Sequence, residues 1–296
     1  MIQRILTALV LIPLVLLLIL RAPLPVLAVV AGIVALLATR EFLALTRHYG
    51  VEPFSIATYI LLCIFFAALA IGEVEFPLRN GAFITMAACL SAALTPFIFL
   101  SIGLNRELRS AYPAAAASVF ALAYLTIPMG MLVDIRQCIA GSFHLIFLMV
   151  VVWSGDIFAY FVGKSIGRHK MAPRVSPKKT WEGAVASLLA SIFFGVLLYR
   201  YSGPIGLALS RVHIIEEPLL ILNLMKPGTW KIVLLASALN IAAQLGDLVE
   251  SAIKRGADVK DSGAILPGHG GMLDRIDALL FAAPIMWFYS IQQIYP

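Results

Sequence analysis

Within residues 251–277 lie four cations (Lys254, Arg255, Lys260, Arg275), four carboxylates (Asp258, Asp261, Asp274, Asp277), one histidine (His269) and five glycines. The residue types suit one kind of chemistry. Lys and Arg meet phosphate oxygens, aspartates hold a divalent metal, and glycines let a backbone come close to its ligand. The segments on either side are apolar, and a charged glycine-rich stretch is costly to place near a bilayer. Its presence points to work on a phosphorylated substrate, with a metal, at a membrane surface.

The flanking elements must position these groups. Asp247, Glu250, Ser251, Lys254 and Arg255 have helical spacing and share a face if the apolar segment 230–249 continues as helix past Asp247. Residues 256–271 hold too much glycine, with Pro267, to form regular helix. A new helix is expected to open at Met272-Leu273-Asp274-Arg275-Ile276-Asp277, with Asp274 and Asp277 neighbours on one face. The N-terminus of that helix suits an anion, although first-turn carboxylates also stabilise a helix on their own. His269, flanked by Gly268, Gly270 and Gly271, is a candidate ligand or phosphate contact, with a structural histidine as the alternative.

A second constellation is Lys164–Gly183, KSIGRHKMAPRVSPKKTWEG, with six cations. Pro177 disfavours helix at Ser176. Thr180 is placed to cap a helix through Trp181, Glu182 and Gly183, which sets Lys178 and Lys179 just before a helix start. A positive-inside anchor with Trp181 at the interface is the plainer alternative. A third is Asp156 with Tyr160, four apart inside an apolar segment where a carboxylate is costly unless partnered. Gly163 and Gly167 have the small-xxx-small spacing of close helix contacts. Glu41, at the end of another apolar segment, is a weaker candidate that fits an interfacial position.

Of the 296 residues, 61% are hydrophobic and only 13% charged, and the mean hydropathy is +0.96. This excludes an ordinary soluble domain, which carries about 25% charged residues. The expected fold is all-α and polytopic. Nine spans are expected at about 5–20, 23–39, 54–72, 82–102, 114–133, 142–163, 183–199, 230–249 and 278–294. They form one integral-membrane domain over 1–296, with N-terminal spans at about 5–133 and the catalytic spans and loops at about 142–296. The first span imitates a signal peptide but lacks a clean small-residue cleavage site, so it is expected to remain as an uncleaved helix. With a cytoplasmic N-terminus, 15 of the 22 Lys and Arg fall on the cytoplasmic side and 7 on the other. Both polar loops, 164–182 and 250–277, then share the cytoplasmic face. The net charge of +6 follows from topology and anionic headgroups, with no need for nucleic acid. Cys63, Cys89 and Cys138 have no metal-site or disulfide spacing. No GxxxxGK[ST] phosphate loop, HExxH metalloprotease helix or paired broken spans of an inverted-repeat transporter are present.

The run Ser251-x-Ile253-Lys254-Arg255-x4-Lys260-Asp261-x-Gly263-x2-Leu266-Pro267-x-His269-Gly270-Gly271-Met272-x-Asp274-Arg275-Ile276-Asp277 resembles the signature of the phosphatidate cytidylyltransferases (CDP-diacylglycerol synthases), without gap or departure. Ser176-Pro177-Lys178-Lys179-Thr180-x-Glu182-Gly183 and the Asp156/Tyr160 helix are similar to that family in order and spacing. The one departure is Ala186-Ser187, where the family often has a Gly-Gly pair. The resemblance implies CTP + phosphatidate → CDP-diacylglycerol + pyrophosphate at the cytoplasmic face of a bacterial inner (cell) membrane. It also implies a Mg²⁺ requirement, admits an accompanying monovalent cation such as K⁺, and implies a homodimer in the bilayer. With Asp247 added from its helical spacing, the candidate catalytic residues are Asp247, Lys254, Arg255, Lys260, Asp261, His269, Asp274, Arg275 and Asp277; adjacent ends of two helices joined by one loop make Asp247 and Asp274 the expected metal carboxylates, with Asp277 one turn deeper. Substrate binding is assigned to Asp156, Tyr160, Ser176, Lys178, Lys179, Thr180, Glu182, Ser251, Gly270 and Gly271. The competing readings are a CTP-dependent lipid or polyprenol kinase and a transporter of an anionic lipid or phosphate. The DxxDGxxAR…GxxxDxxxD run of CDP-alcohol phosphotransferases is absent.

The charge bias predicts that a topology reporter fused after Pro296 is active only outside the cytoplasm. Activity confined to the cytoplasm would overturn the nine-span topology.

Overall fold

A computed structural model describes residues 2–71, 78–104, 107–211, 228–265 and 270–292. They are almost entirely helical: α1 (Ile2–Arg21), α2 (Leu24–His48), α3 (Ser55–Ile71), α4 (Leu78–Ser91), α5 (Leu94–Gly103), α6 (Leu108–Ala121), α7 (Ile127–Gln137), α8 (Gly141–Ser165), α9 (Trp181–Arg200), α10 (Ser202–Arg211), α11 (Thr229–Gly256) and α12 (Leu273–Gln292). A short antiparallel hairpin of β1 (Lys170–Ala172) and β2 (Ser176–Thr180) stands between α8 and α9. It is a small departure from the all-α expectation, at the place where Pro177 rules out helix.

Among the described residues, five helices are long and apolar enough to cross a membrane: Leu24–His48, Arg109–Gln137, Gly141–Ser165, Trp181–Arg200 and Thr229–Gly256. A pair bent by 41°, Phe83–Ser91 with Leu94–Gly103, makes a sixth if it counts as one span. Leu11–Arg21 and Ser55–Ile71 are apolar but shorter. Many exposed large side chains are apolar, including Val185, Leu189, Phe193 and Leu197 at successive turns of α9. Such a face suits lipid, not water.

The Arg109–Gln137 span contains a π-helical turn, Leu122–Thr126. Pro128, at the second position of α7, has no N–H to return to the preceding turn. Widening the helix just before it is one way the backbone absorbs that missing bond.

The chain divides into two compact units. The first comprises residues 1–22, 135–252 and 277–296. Its core includes Phe143, Phe147, Leu148, Val151 and Val152 of α8 and Ala236 and Leu239 of α11. Small residues bring its helices close. Gly195 of α9 faces Ala236, Phe147 and Val151, each 3.3 Å from where a Cβ would stand. Gly155 of α8 makes room for Asn240, which donates at 2.8 Å to both Ser187 and Ser191 of α9. Ser187 is half of the Ala186-Ser187 departure, and its hydroxyl supplies an interhelical hydrogen bond that a glycine could not.

The second unit comprises residues 23–134 and 253–276. Phe42 and Leu43 of α2, Phe65 and Phe66 of α3, Phe83 of α4, and Leu122 and Leu125 of the π turn are buried there. α2 ends at Gly50, whose φ of +74° lets Gly50 N–H and Val51 N–H turn back to the carbonyls of Arg47 and Thr46.

Candidate functional site

Within the first unit, the hairpin and the start of α9 form a small polar platform. Thr180 Oγ1 accepts from Gly183 N–H, so Thr180 caps α9 as its position predicted. Thr180 is buried against Gly163 and Gly167 near the end of α8, where any larger residue would collide with it. The Gly163/Gly167 spacing therefore does mark a close approach. Glu182, in the first turn of α9, accepts from His169 N–H at 3.1 Å and lies 2.6 Å from His169 Nδ1. The two lysines of β2 differ: Lys178 is exposed, whereas Lys179 reaches Asp247 of α11 at 2.7 Å. Ser176 is half-buried.

As the spacing required, α11 runs unbroken through Asp247, Ser251, Lys254 and Arg255. Asp247 also accepts from the Ser251 hydroxyl at 3.3 Å. Glu250 is buried. Gly246 meets the backbone carbonyl of Asp277, so α11 and α12 touch there with no room for a side chain. Asp277 Oδ1 accepts from Ala278 N–H. On α8, Asp156 and Tyr160 are both exposed, and the Lys164 ammonium stands 5.7 Å from the Tyr160 ring centroid.

Within the second unit, α11 ends in a hydrogen-bonded reversal. Asp258 takes a φ of +57°, and its N–H and that of Val259 return to the carbonyls of Arg255 and Lys254. Arg255 reinforces the turn by donating to Val259 O at 3.1 Å. Lys260 and Asp261 are exposed beyond it. Lys254 forms an ion pair with Asp274, their side chains only 11% and 6% exposed. The other Asp274 oxygen accepts from Ser262 N–H at 3.0 Å and Gly271 N–H at 2.7 Å. Arg275 is exposed, and His269 lies outside the described residues.

Sequence reasoning undervalued one residue. Glu41, placed at an interface by its position in the chain, is 5% exposed. Its carboxylate accepts from Ser262 Oγ at 2.8 Å and from Met272 N–H and Leu273 N–H at 2.9 Å each. The start of α12 does bind an anion, as helix N-termini do, and the anion is this glutamate. Gly263 and Gly271 lie directly against Glu41, so these two glycines accommodate a protein carboxylate. Gly270, at a φ of +80°, lies against Asp274 and Asp261. A lone acid 221 residues from Ser262 carries no local signal of such a partner.

Asp247 in the first unit and Asp274 in the second each offer carboxylate oxygens, the donor type that a hard divalent cation takes, and each already holds a lysine ammonium. Among the described residues no three His, Cys, Asp or Glu side chains gather into a metal-holding group.

A model of the cytidylyltransferase family matches residues 2–292. A phosphatidate cytidylyltransferase of Brucella abortus is 40% identical over 150 residues, 51% of this chain and 47% of the relative. Proteins of the same name from Staphylococcus saprophyticus and Staphylococcus epidermidis are 33% identical over 226 residues and 30% identical over 267. These alignments cover 76% and 90% of this chain, and 78% and 90% of the relatives. The matched stretch is thus less than half the length of the Brucella relative and nine-tenths of that from S. epidermidis.

The buried ion pair yields a stability prediction. Lys254→Ala leaves the Asp274 carboxylate buried without its ammonium, which costs about 3–5 kcal/mol. Adding Asp274→Asn removes the stranded charge, so the double variant should recover much of that loss. Thermal unfolding of the purified variants in detergent measures both. A Lys254→Ala protein as stable as the parent would show that the pair is not a structural element.

Proposed function

The chain belongs to the cytidylyltransferase family, and from that premise we propose that it transfers the cytidylyl group of CTP to phosphatidate, giving CDP-diacylglycerol and pyrophosphate for phospholipid synthesis. The observation that carries this reading is the polar equipment that joins the end of α11 to the start of α12, in a chain of apolar helices. A phosphatidate oxygen forms a bond to the α-phosphorus of CTP. The α–β bridging bond breaks, and its electron pair leaves with pyrophosphate. The nucleophile is already anionic, so the protein need not supply a strong base. Its task is to position the reactants and neutralise their charge. Lys178, Lys179 and Arg255 are proposed to meet phosphates. Lys254, Lys260 and Arg275 add positive charge, and Ser176, Ser251 and Gly270 are proposed substrate contacts, while Gly271, taken up by Glu41, would act through the fold. Mg²⁺, held by Asp247 and Asp274 with Asp277 in support, would neutralise the triphosphate. His269 and Asp261 remain candidates for substrate contact, and K⁺ for an accompanying ion.

The same reading gives nine spans, a cytoplasmic N-terminus and cytoplasmic polar loops, in a homodimer of the bacterial cell membrane. The basic-residue bias supports the orientation, and the bacterial relatives support the compartment.

Purified protein in detergent, given phosphatidate, labelled CTP and Mg²⁺, should release pyrophosphate and label a lipid. Release of CDP with a newly phosphorylated lipid would indicate a kinase instead, and lipid movement without nucleotide turnover a transporter. In this assay Lys178→Ala and Lys179→Ala should each lower activity at least tenfold, about 1.4 kcal/mol in the barrier. Full activity in both would reduce the hairpin to a topology anchor.

Asp247→Asn and Asp274→Asn keep side-chain shape and lose charge. Each should reach the membrane, turn over far more slowly and need more Mg²⁺ for what activity remains, with Asp274→Asn also less stable because it leaves the buried Lys254 ammonium unpaired. Ordinary turnover at ordinary Mg²⁺ in both would place the metal elsewhere.

A further inference from the structure

Both ends of the 256–272 segment are fastened to one helix, α2. At the α11 end, Tyr49 follows the last residue of α2 and donates its hydroxyl to Ile253 O at 2.6 Å. Its ring and hydroxyl lie against Gly256, where any side chain would collide with them. Burial, reinforced by the nearby Asp258 carboxylate, raises the Tyr49 pKa above its ordinary value, so the hydroxyl remains a donor at neutral pH. At the α12 end, the buried Glu41 binds Ser262, Met272 and Leu273, with Gly263 and Gly271 leaving it room. Glu41 and Tyr49 are eight residues apart, a little over two helical turns or about 12 Å along the axis.

Two carboxylates share the donors of Ser262 and of residues 271–273. Ser262 gives its N–H to Asp274 and its hydroxyl to Glu41. At the start of α12, Gly271 N–H goes to Asp274, while Met272 N–H and Leu273 N–H go to Glu41. Asp274 and its partner Lys254 belong to the proposed chemistry. Glu41 is fully engaged by the protein and touches that chemistry only through the shared residues.

We infer that Glu41 is a positioning residue for cytidylyl transfer: together with Tyr49 it makes α2 a brace that fixes both ends of the 256–272 segment and so aligns Lys254 and Asp274. The inference rests on the proposed function and adds a residue to it. Glu41→Gln is the sharpest probe. An amide has one acceptor oxygen, so its NH₂ must face a donor at Met272 or at Ser262 and Leu273, and the start of α12 shifts. A displacement of about 1 Å from productive geometry costs on the order of a hundredfold in rate. The loss should therefore appear in kcat, because the interaction is needed for alignment and not for uniform binding.

The experiment uses the full chain in detergent, with phosphatidate, CTP and Mg²⁺. Glu41→Gln should lower kcat at least tenfold, leave KM for CTP within threefold, and speed amide hydrogen exchange in peptides covering 261–273. Wild-type kcat in the folded variant would make Glu41 merely structural and overturn the proposal. So would a raised KM at unchanged kcat, which would assign Glu41 to substrate binding. If Glu41→Gln does not accumulate, Ser262→Ala decides, since it removes one of the three donors to Glu41 and keeps the carboxylate. It should lower kcat about threefold and speed the same exchange, and no change in either refutes the brace. A parent protein inactive toward CTP and phosphatidate would sink the proposed function instead, while the exchange data would still judge whether Glu41 holds the segment.

Discussion

The 256–272 segment depends on backbone N–H groups finding carboxylates. A glycine-rich stretch beside a membrane has many polar hydrogens and few ways to satisfy them, since neither regular helix nor lipid will do so. Glu41 and Asp274 accept most of the hydrogen bonds that the segment's described donors make to side chains. Each carboxylate would be costly to bury alone. The peptide dipoles that need acceptors are also what make burial of the acids tolerable. Lys254 neutralises Asp274, and the start of α12 provides the favourable end of a helix dipole for Glu41.

Much of this could be read from the chain because it is local. The run of α11 to Gly256, the break after it, the opening of α12 at Leu273 and the Thr180 cap follow from spacing within a few residues. The paired glycines of α8 announced a close contact for the same reason. What could not be read is long-range. Glu41 and Ser262 are separated by 221 positions, and nothing around Glu41 distinguishes an interfacial acid from a buried clamp. The sequence also left open what the glycines make room for. At Gly256, Gly263 and Gly271 the neighbours are Tyr49 and Glu41, so the close approach is made by the protein itself. The lysine pair was legible as charge but not as two different environments, because the hairpin that splits Lys178 from Lys179 is too short to show a period.

The expected spans illustrate another limit. Hydropathy finds apolar stretches, and every expected stretch coincides at least in part with a helix among the described residues. Length and composition then separate them into five clear spans, one bent pair and shorter or more polar helices. α12 is the instructive member: Asp274, Arg275 and Asp277 stand near its start, and their charge lowers its hydropathy.

The π turn at Leu122–Thr126 has a bearing on how this helix tolerates changes in length. A π turn holds one residue more than the α-helical turn it replaces. It therefore acts as an insertion absorbed inside a span, and its register is part of the packing. Removing one residue there would let α6 and α7 run together as plain α-helix. Side chains on the two sides of the join would keep their facing, because the wide turn takes up its extra residue within a single turn, whereas a deletion elsewhere in the span would rotate one side against the other by about 100°. Leu122 and Leu125 are fully buried on the turn itself, and Val133 and Ile135 are fully buried beyond it. A single deletion outside the turn would thus turn a buried face of this helix toward its surroundings while leaving the span's hydropathy almost unchanged, and one within the turn would not.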